Sequence, residues 1–152
     1  MGEIKVGDKL PLFGAKDQNG NDFYIASVLG KKVLVIYFYP KDDTPGCTKQ
    51  ACFFRDQYEE FTDLGVAVIG ISGDSVKSHK KFAEEYKLPF TLLADEDKSL
   101  RKLFGVSTNL LGLLPGRVTY VVDKEGIVRM VFDSMNAENH FSKTIEQVKK
   151  LL

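Results

Sequence analysis

Two cysteines, Cys47 and Cys52, stand five positions apart in the run Tyr39-Pro40-Lys41-Asp42-Asp43-Thr44-Pro45-Gly46-Cys47-Thr48-Lys49-Gln50-Ala51-Cys52. Thr44 followed by Pro45 marks a helix start: Thr at the N-cap can accept from an orphan amide, and Pro at the first helical position forfeits no hydrogen bond. Cys47 then falls in the first helical turn, at the positive end of the helix dipole, where thiolate is favoured over thiol. Thiolate is the nucleophilic form, so Cys47 is a candidate nucleophile; the plainer alternative is an inert buried thiol. Cys52 lies about 140° further round an intact helix, with the two Cα atoms roughly 8–9 Å apart. A disulfide spans only about 4.4–6.8 Å, so joining the pair requires the first turns to unwind. Gly46 and a fraying helix end permit that; otherwise Cys52 is a small core residue.

These side chains need a frame. Val33-Leu34-Val35-Ile36-Tyr37-Phe38-Tyr39 is continuously apolar, as suits a central strand covered on both faces, and Val66 to Ser72 repeats that character. Between them, from Thr48 to Leu64, Ala51, Phe54, Tyr58 and Phe61 form one helical stripe, so strand, helix and strand make a right-handed parallel βαβ unit. Cys47 thus lies past the carboxyl end of a core strand, where ligand sites of open α/β sheets collect. Asn19-Gly20 predicts an N-terminal hairpin between Phe13 and Tyr24. Further along, helices are expected over Ser75 to Tyr86 and Asp97 to Phe104, with a short strand at Phe90 to Ala94 between them. Arg117 to Asp123 and Ile127 to Asp133 read as strands, and Glu138 to Leu152 as a closing amphipathic helix. The class is α/β with a mixed sheet.

The chain has 152 residues, no repeat and no linker-like tract, and is read as one domain, residues 1–152. Lys plus Arg number 21 and Asp plus Glu 21, which supplies no general attraction to nucleic acid or anionic lipid. No apolar run reaches membrane-spanning length and the N-terminus opens no signal-like stretch, so the expected compartment is the cytoplasm. The cysteines lack zinc-knuckle spacing, and His79 and His140 sit in polar stretches and read as surface residues, so no metal is expected. Asp95-Glu96-Asp97 lacks the rest of a calcium loop, Glu59-Glu60 and Glu84-Glu85 read as solvated helix faces, and no cofactor motif occurs. Leu110-Leu111-Gly112-Leu113-Leu114-Pro115-Gly116 is apolar for a loop: it walls a pocket, forms a self-association patch or packs on its own core.

Phe38 to Cys52 resembles the active-site signature of the peroxiredoxins, and within them the bacterioferritin comigratory protein or peroxiredoxin Q subgroup. The similarity continues through Val6-Gly7-Asp8, Ile69 to Ser75, Ser78 to Phe82, Leu88-Pro89-Phe90, Phe104-Gly105-Val106 and Gly116 to Asp123, nearly the whole chain. It implies a thioredoxin-like fold and a thiol-dependent peroxidase acting on hydrogen peroxide and organic hydroperoxides without a cofactor. By the same resemblance Cys47 is the peroxidatic cysteine, Thr44 a hydroxyl partner of thiolate and peroxide, Pro40 a shield over the thiol, and Arg117 the cationic stabiliser. Cys52 matches the resolving cysteine of those members that carry one in this helix, which implies a Cys47–Cys52 disulfide recycled by a thioredoxin-type dithiol protein. Many relatives place Glu at the position of Gln50. The implied partners are a peroxide and a dithiol reductant, with no nucleic acid and no membrane, on a monomer or at most a weak dimer. A thioredoxin-like dithiol oxidoreductase and a binding protein with vestigial cysteines are the rivals.

Overall fold

The computed structural model describes residues 3–106, 108–109 and 114–152. At its centre runs β3 (Val33–Phe38), with all six residues buried. It pairs parallel with β4 (Val66–Ser72) and antiparallel with β8 (Val118–Val122). With β1 (Gly14–Asp17), β2 (Asp22–Tyr24), β5 (Thr91–Ala94) and β9 (Val128–Asp133) these form a mixed sheet of order β2-β1-β5-β4-β3-β8-β9. A separate short pair joins β6 (Thr108–Asn109) to β7 (Leu114–Pro115). The helices are α1 (Pro45–Asp63), α2 (Val76–Tyr86), α3 (Ser99–Phe104) and α4 (Ala137–Lys150).

The unbroken apolar run of β3 follows from its having no solvent face. Val33, Val35 and Tyr37 of β3 pack with Ala51, Phe54 and Phe61 of α1, Phe82 of α2 and Val148 of α4. Leu34, Ile36 and Phe38 turn the other way, onto Leu100 and Phe104 of α3, the N-terminal Ile4 and Leu10, and Tyr120 and Val122 of β8. Alternate side chains of one strand therefore anchor both layers. On the first layer α1 also meets α4, where Phe53 and Phe141 stack with ring centroids 4.4 Å apart.

The expected hairpin is β1–β2, its turn closed by Gly20 N–H donating to Asp17 O, with Gly20 at φ +79°. The first helix begins at Pro45, six residues before Ala51 opens its apolar stripe. Ser75 caps α2 by accepting from Ser78 N at 3.1 Å, and Gly105, at φ +69°, ends α3. Asp95, rather than a residue of the first turn, caps α3 by accepting from Leu100 N and Arg101 N. Of the apolar loop, residues 110–113 lie outside the described ones. Among the described residues no helix is long and apolar enough to cross a membrane.

Candidate active site

The chain leaves β3 through Tyr39 and Pro40 and turns at Asp43, whose φ of +60° is left-handed. Pro40 is half-buried at the start of this loop. Thr44 has extended N-cap backbone, and its carbonyl accepts from Thr48 N at 2.8 Å. Its hydroxyl makes no cap, contrary to the expectation, and donates instead to Lys41 O at 2.9 Å. The loop turns back tightly enough to bring that carbonyl within reach, and the hydroxyl's one hydrogen is spent there rather than toward Cys47.

Cys47 lies in the first turn of α1 and is 1% exposed. Arg117, in the link just before β8, points its guanidinium at it: Nη2 donates to Cys47 Sγ at 3.3 Å. Two further donors fix the group, Nε to Met135 O at 3.2 Å and Nη1 to Gln50 Oε1 at 2.6 Å. Arg117 is itself buried. A Cβ on Gly46 would stand 3.0 Å from Arg117 Nη2, so the glycine keeps the approach to the sulfur open. Cys52, half-buried on the same wound helix, carries a free thiol, as does Cys47. Cys47 and Arg117 are thus brought together, while Cys52 stands roughly 8–9 Å away along the intact helix.

A second buried cluster holds the loop from beneath. Asp42 accepts from Tyr39 Oη at 2.6 Å and from Ser78 Oγ at 2.8 Å, and its Oδ2 lies 2.7 Å from His79 Nδ1. His79 Nε2 lies 2.9 Å from Leu93 O, and Asp42 N donates to Asp74 Oδ2 at 2.8 Å. Burial, then the neighbouring Asp42 charge, pushes the Tyr39 phenol well above its ordinary range. Asp42, Asp74 and His79 present ligand atoms within 4.8 Å of one another, but Asp42 Oδ2 and Asp74 Oδ2 already accept hydrogen bonds from Ser78 and from Ser72 and Asp42 N. The cluster is a hydrogen-bonded knot. Arg101 adds a second buried guanidinium, donating to Tyr39 O at 2.9 Å and Gly116 O at 3.2 Å, so it ties the Cys47 loop to the Arg117 link.

His79 and His140 are both fully buried, against the expectation of surface residues. Each lies on the apolar stripe of its helix, His79 with Phe82 and Ala83, His140 with Thr144 and Val148, and that periodicity was the signal available in the sequence.

The chain matches the AhpC/TSA family over residues 6–131. It is 51% identical over 150 residues to the chloroplastic peroxiredoxin Q of Sedum lineare, covering 98% of this chain and 80% of that one. The chain belongs to the AhpC/TSA family, in its peroxiredoxin Q branch. Among solved peroxiredoxins, peroxidoxin BcpB from Mycobacterium tuberculosis is similar with a TM-score of 0.89 and 35% identity, covering 99% of both chains. A bacterioferritin comigratory protein of Xanthomonas campestris, studied for its alkyl peroxide reduction activity, gives a TM-score of 0.83 at 30% identity over 94% of this chain and 98% of its own. The thioredoxin-like α/β fold expected from the resemblance is thereby borne out. The cytoplasmic expectation is corrected: peroxiredoxin Q proteins of Sedum lineare, Populus jackii and Suaeda salsa, which match 98–99% of the chain, are named chloroplastic. The expectation rested on the lack of a membrane-length apolar run and of a signal-like stretch, and neither feature separates the two compartments.

Proposed function

We propose that this peroxiredoxin reduces hydrogen peroxide and organic hydroperoxides through Cys47, with Cys52 as resolving cysteine and a thioredoxin-type dithiol protein as reductant. The observation that carries the reading is Arg117 Nη2 at 3.3 Å from a thiol in the first turn of a helix. The Cys47 thiolate attacks one peroxide oxygen, the O–O bond breaks, and the departing oxygen takes up a proton and leaves as water or alcohol. Negative charge develops on that oxygen, so a fixed guanidinium beside the sulfur acts where the charge forms. Rotation about the Thr44 side chain brings its hydroxyl to the bound peroxide, and Pro40 shields the thiol from water.

The sulfenic acid on Cys47 condenses with the Cys52 thiol, forming the S–S bond and releasing water; two electrons from the reductant's dithiol then restore both thiols. Closing that bond requires the start of α1 to unwind. The alkyl peroxide reduction of the Xanthomonas relative supports the organic substrates. We read residues 1–152 as one catalytic domain that works as a monomer and uses no cofactor.

The test is peroxide consumption with a thioredoxin system, comparing the native chain with Cys47→Ser and Cys52→Ser. Loss of turnover in Cys47→Ser and a single oxidation without recycling in Cys52→Ser are the expected results. Undiminished turnover in Cys52→Ser would overturn its resolving role, and peroxide consumption by Cys47→Ser would overturn the whole reading.

A further inference from the structure

The hydrogen bonds that aim Arg117 lead away from the thiol by two routes that meet at one side chain. On the first, Arg117 Nη1 donates to Gln50 Oε1, which turns the amide so that Nε2 donates to Thr119 Oγ1 at 3.5 Å. The Thr119 hydroxyl is then free to donate onward, to His140 Nδ1 at 2.7 Å. That leaves the proton of a neutral ring on Nε2, which donates to Ser134 O at 2.6 Å. On the second route Arg117 Nε donates to Met135 O, the next carbonyl in the chain, and Ser134 N donates to Arg117 O at 3.1 Å. One tautomer of His140 satisfies the whole circuit.

Gln50, Thr119 and His140 are each 0% exposed, so no water substitutes for a lost partner. His140 also stands edge-on to Phe132, centroids 4.8 Å apart, which fixes its ring plane. Burial, then the charge of Arg117, holds the imidazole below its ordinary range and so in the neutral form the circuit needs. A guanidinium donor stabilises a developing oxyanion only while it is aimed, and a misplacement of about 1 Å can cost on the order of a hundredfold in rate.

We propose that His140 is a positioning residue for the peroxide reaction, holding Arg117 on the Cys47 sulfur through Thr119 and Gln50 on one side and through Ser134 and Met135 on the other. It touches neither thiol nor peroxide. The inference rests on Cys47 being the nucleophile.

The experiment uses the reduced full-length protein and two electrophiles. One rate constant is for hydrogen peroxide, read by quenching and mass analysis that counts the Cys47 sulfenic acid, trapped with dimedone, together with the disulfide it forms. The other is for alkylation of Cys47 by iodoacetamide, which has no peroxide oxygen for Arg117 to serve. The quantity that decides is the ratio of the two, because a merely structural loss lowers both together. His140→Phe keeps a ring against Phe132 and removes both hydrogen bonds; the ratio is expected to fall by about tenfold. His140→Asn, which can still accept from Thr119, and His140→Gln, which can still donate to Ser134, are expected to recover part of it.

Thr119→Val, close in volume, cuts the Gln50 route alone and is expected to lower the ratio by at least about threefold even should His140→Phe fail to fold. A ratio within twofold of native in the folded variants overturns the proposal and leaves His140 a core residue. Cys47→Ser in the same assay separates the two claims: sulfenic acid formed without Cys47 would sink the catalytic reading, while its loss beside a native-like ratio in the His140 and Thr119 variants sinks only the positioning role.

Discussion

Gly46 shows how one missing methyl group shapes the chemistry. Its backbone is ordinary helix, so the residue is not there for a turn; what it spares is the space 3.0 Å from Arg117 Nη2. Gly46→Ala is expected to lower the peroxide rate constant several-fold by pushing the guanidinium off the sulfur. The same change should leave stability equal or raise it by up to about 0.5–1 kcal/mol, since Ala suits a helix better than Gly. Thermal melting beside quenched-flow oxidation separates the two effects. His140 gives a second expectation. Its folded-state pKa lies below the ordinary value of 6.5, so the unfolded chain takes up a proton that the native ring refuses. Stability is therefore expected to drop as pH falls through about 6.5, and this contribution stops changing below the depressed native value. Denaturant midpoints at pH 8, 6.5 and 5.5 should show a shallower decline in His140→Phe than in the native chain.

At the scale of elements, the Asp42 knot fastens the loop after β3 to α2. Asp42→Ala strips the acceptor from Tyr39, Ser78 and His79 together and is expected to cost at least about 2–3 kcal/mol in urea unfolding, with a slower peroxide reaction from the loosened loop. Helix α1 is wound through both cysteines, whereas the proposed disulfide needs residues 45–52 unwound. Peroxide-treated protein is expected to lose about two turns of helix by far-ultraviolet circular dichroism, recovered on adding dithiothreitol and absent in Cys52→Ser. An unchanged spectrum with the disulfide formed would mean that the bond closes by another movement. Much at this scale could be read from the sequence, because β3 and β4 announce themselves by unbroken apolar runs and α1 by Thr44-Pro45 and its stripe. The direction of the Thr44 hydroxyl could not: a local turn decides between Lys41 O and the helix amides, and both choices suit the same residue type.

For the molecule as a whole, sedimentation of reduced and peroxide-treated protein is expected to give one chain's mass in both states, and a covalent dimer after oxidation would overturn intramolecular resolution. What the sequence hid is long-range. Asp42 meets His79 across 37 positions and Thr119 meets His140 across 21, and the polar neighbours of each histidine disguise the helical face that buries it. Cys47 was legible from its helix start, but its pairing with Arg117 was legible only through resemblance, because no local pattern says that a residue 70 positions on will reach the sulfur. Gln50, which holds Arg117 by Nη1, lies between the two cysteines on the segment that must unwind for them to join. On the proposed resolution by Cys52, disulfide formation would drag away the group that aims the guanidinium. The oxidised protein would then be an interlocked machine with its trigger disassembled: it would engage no second peroxide until a reductant had reset the helix, and each charge of oxidant would be followed by an enforced pause.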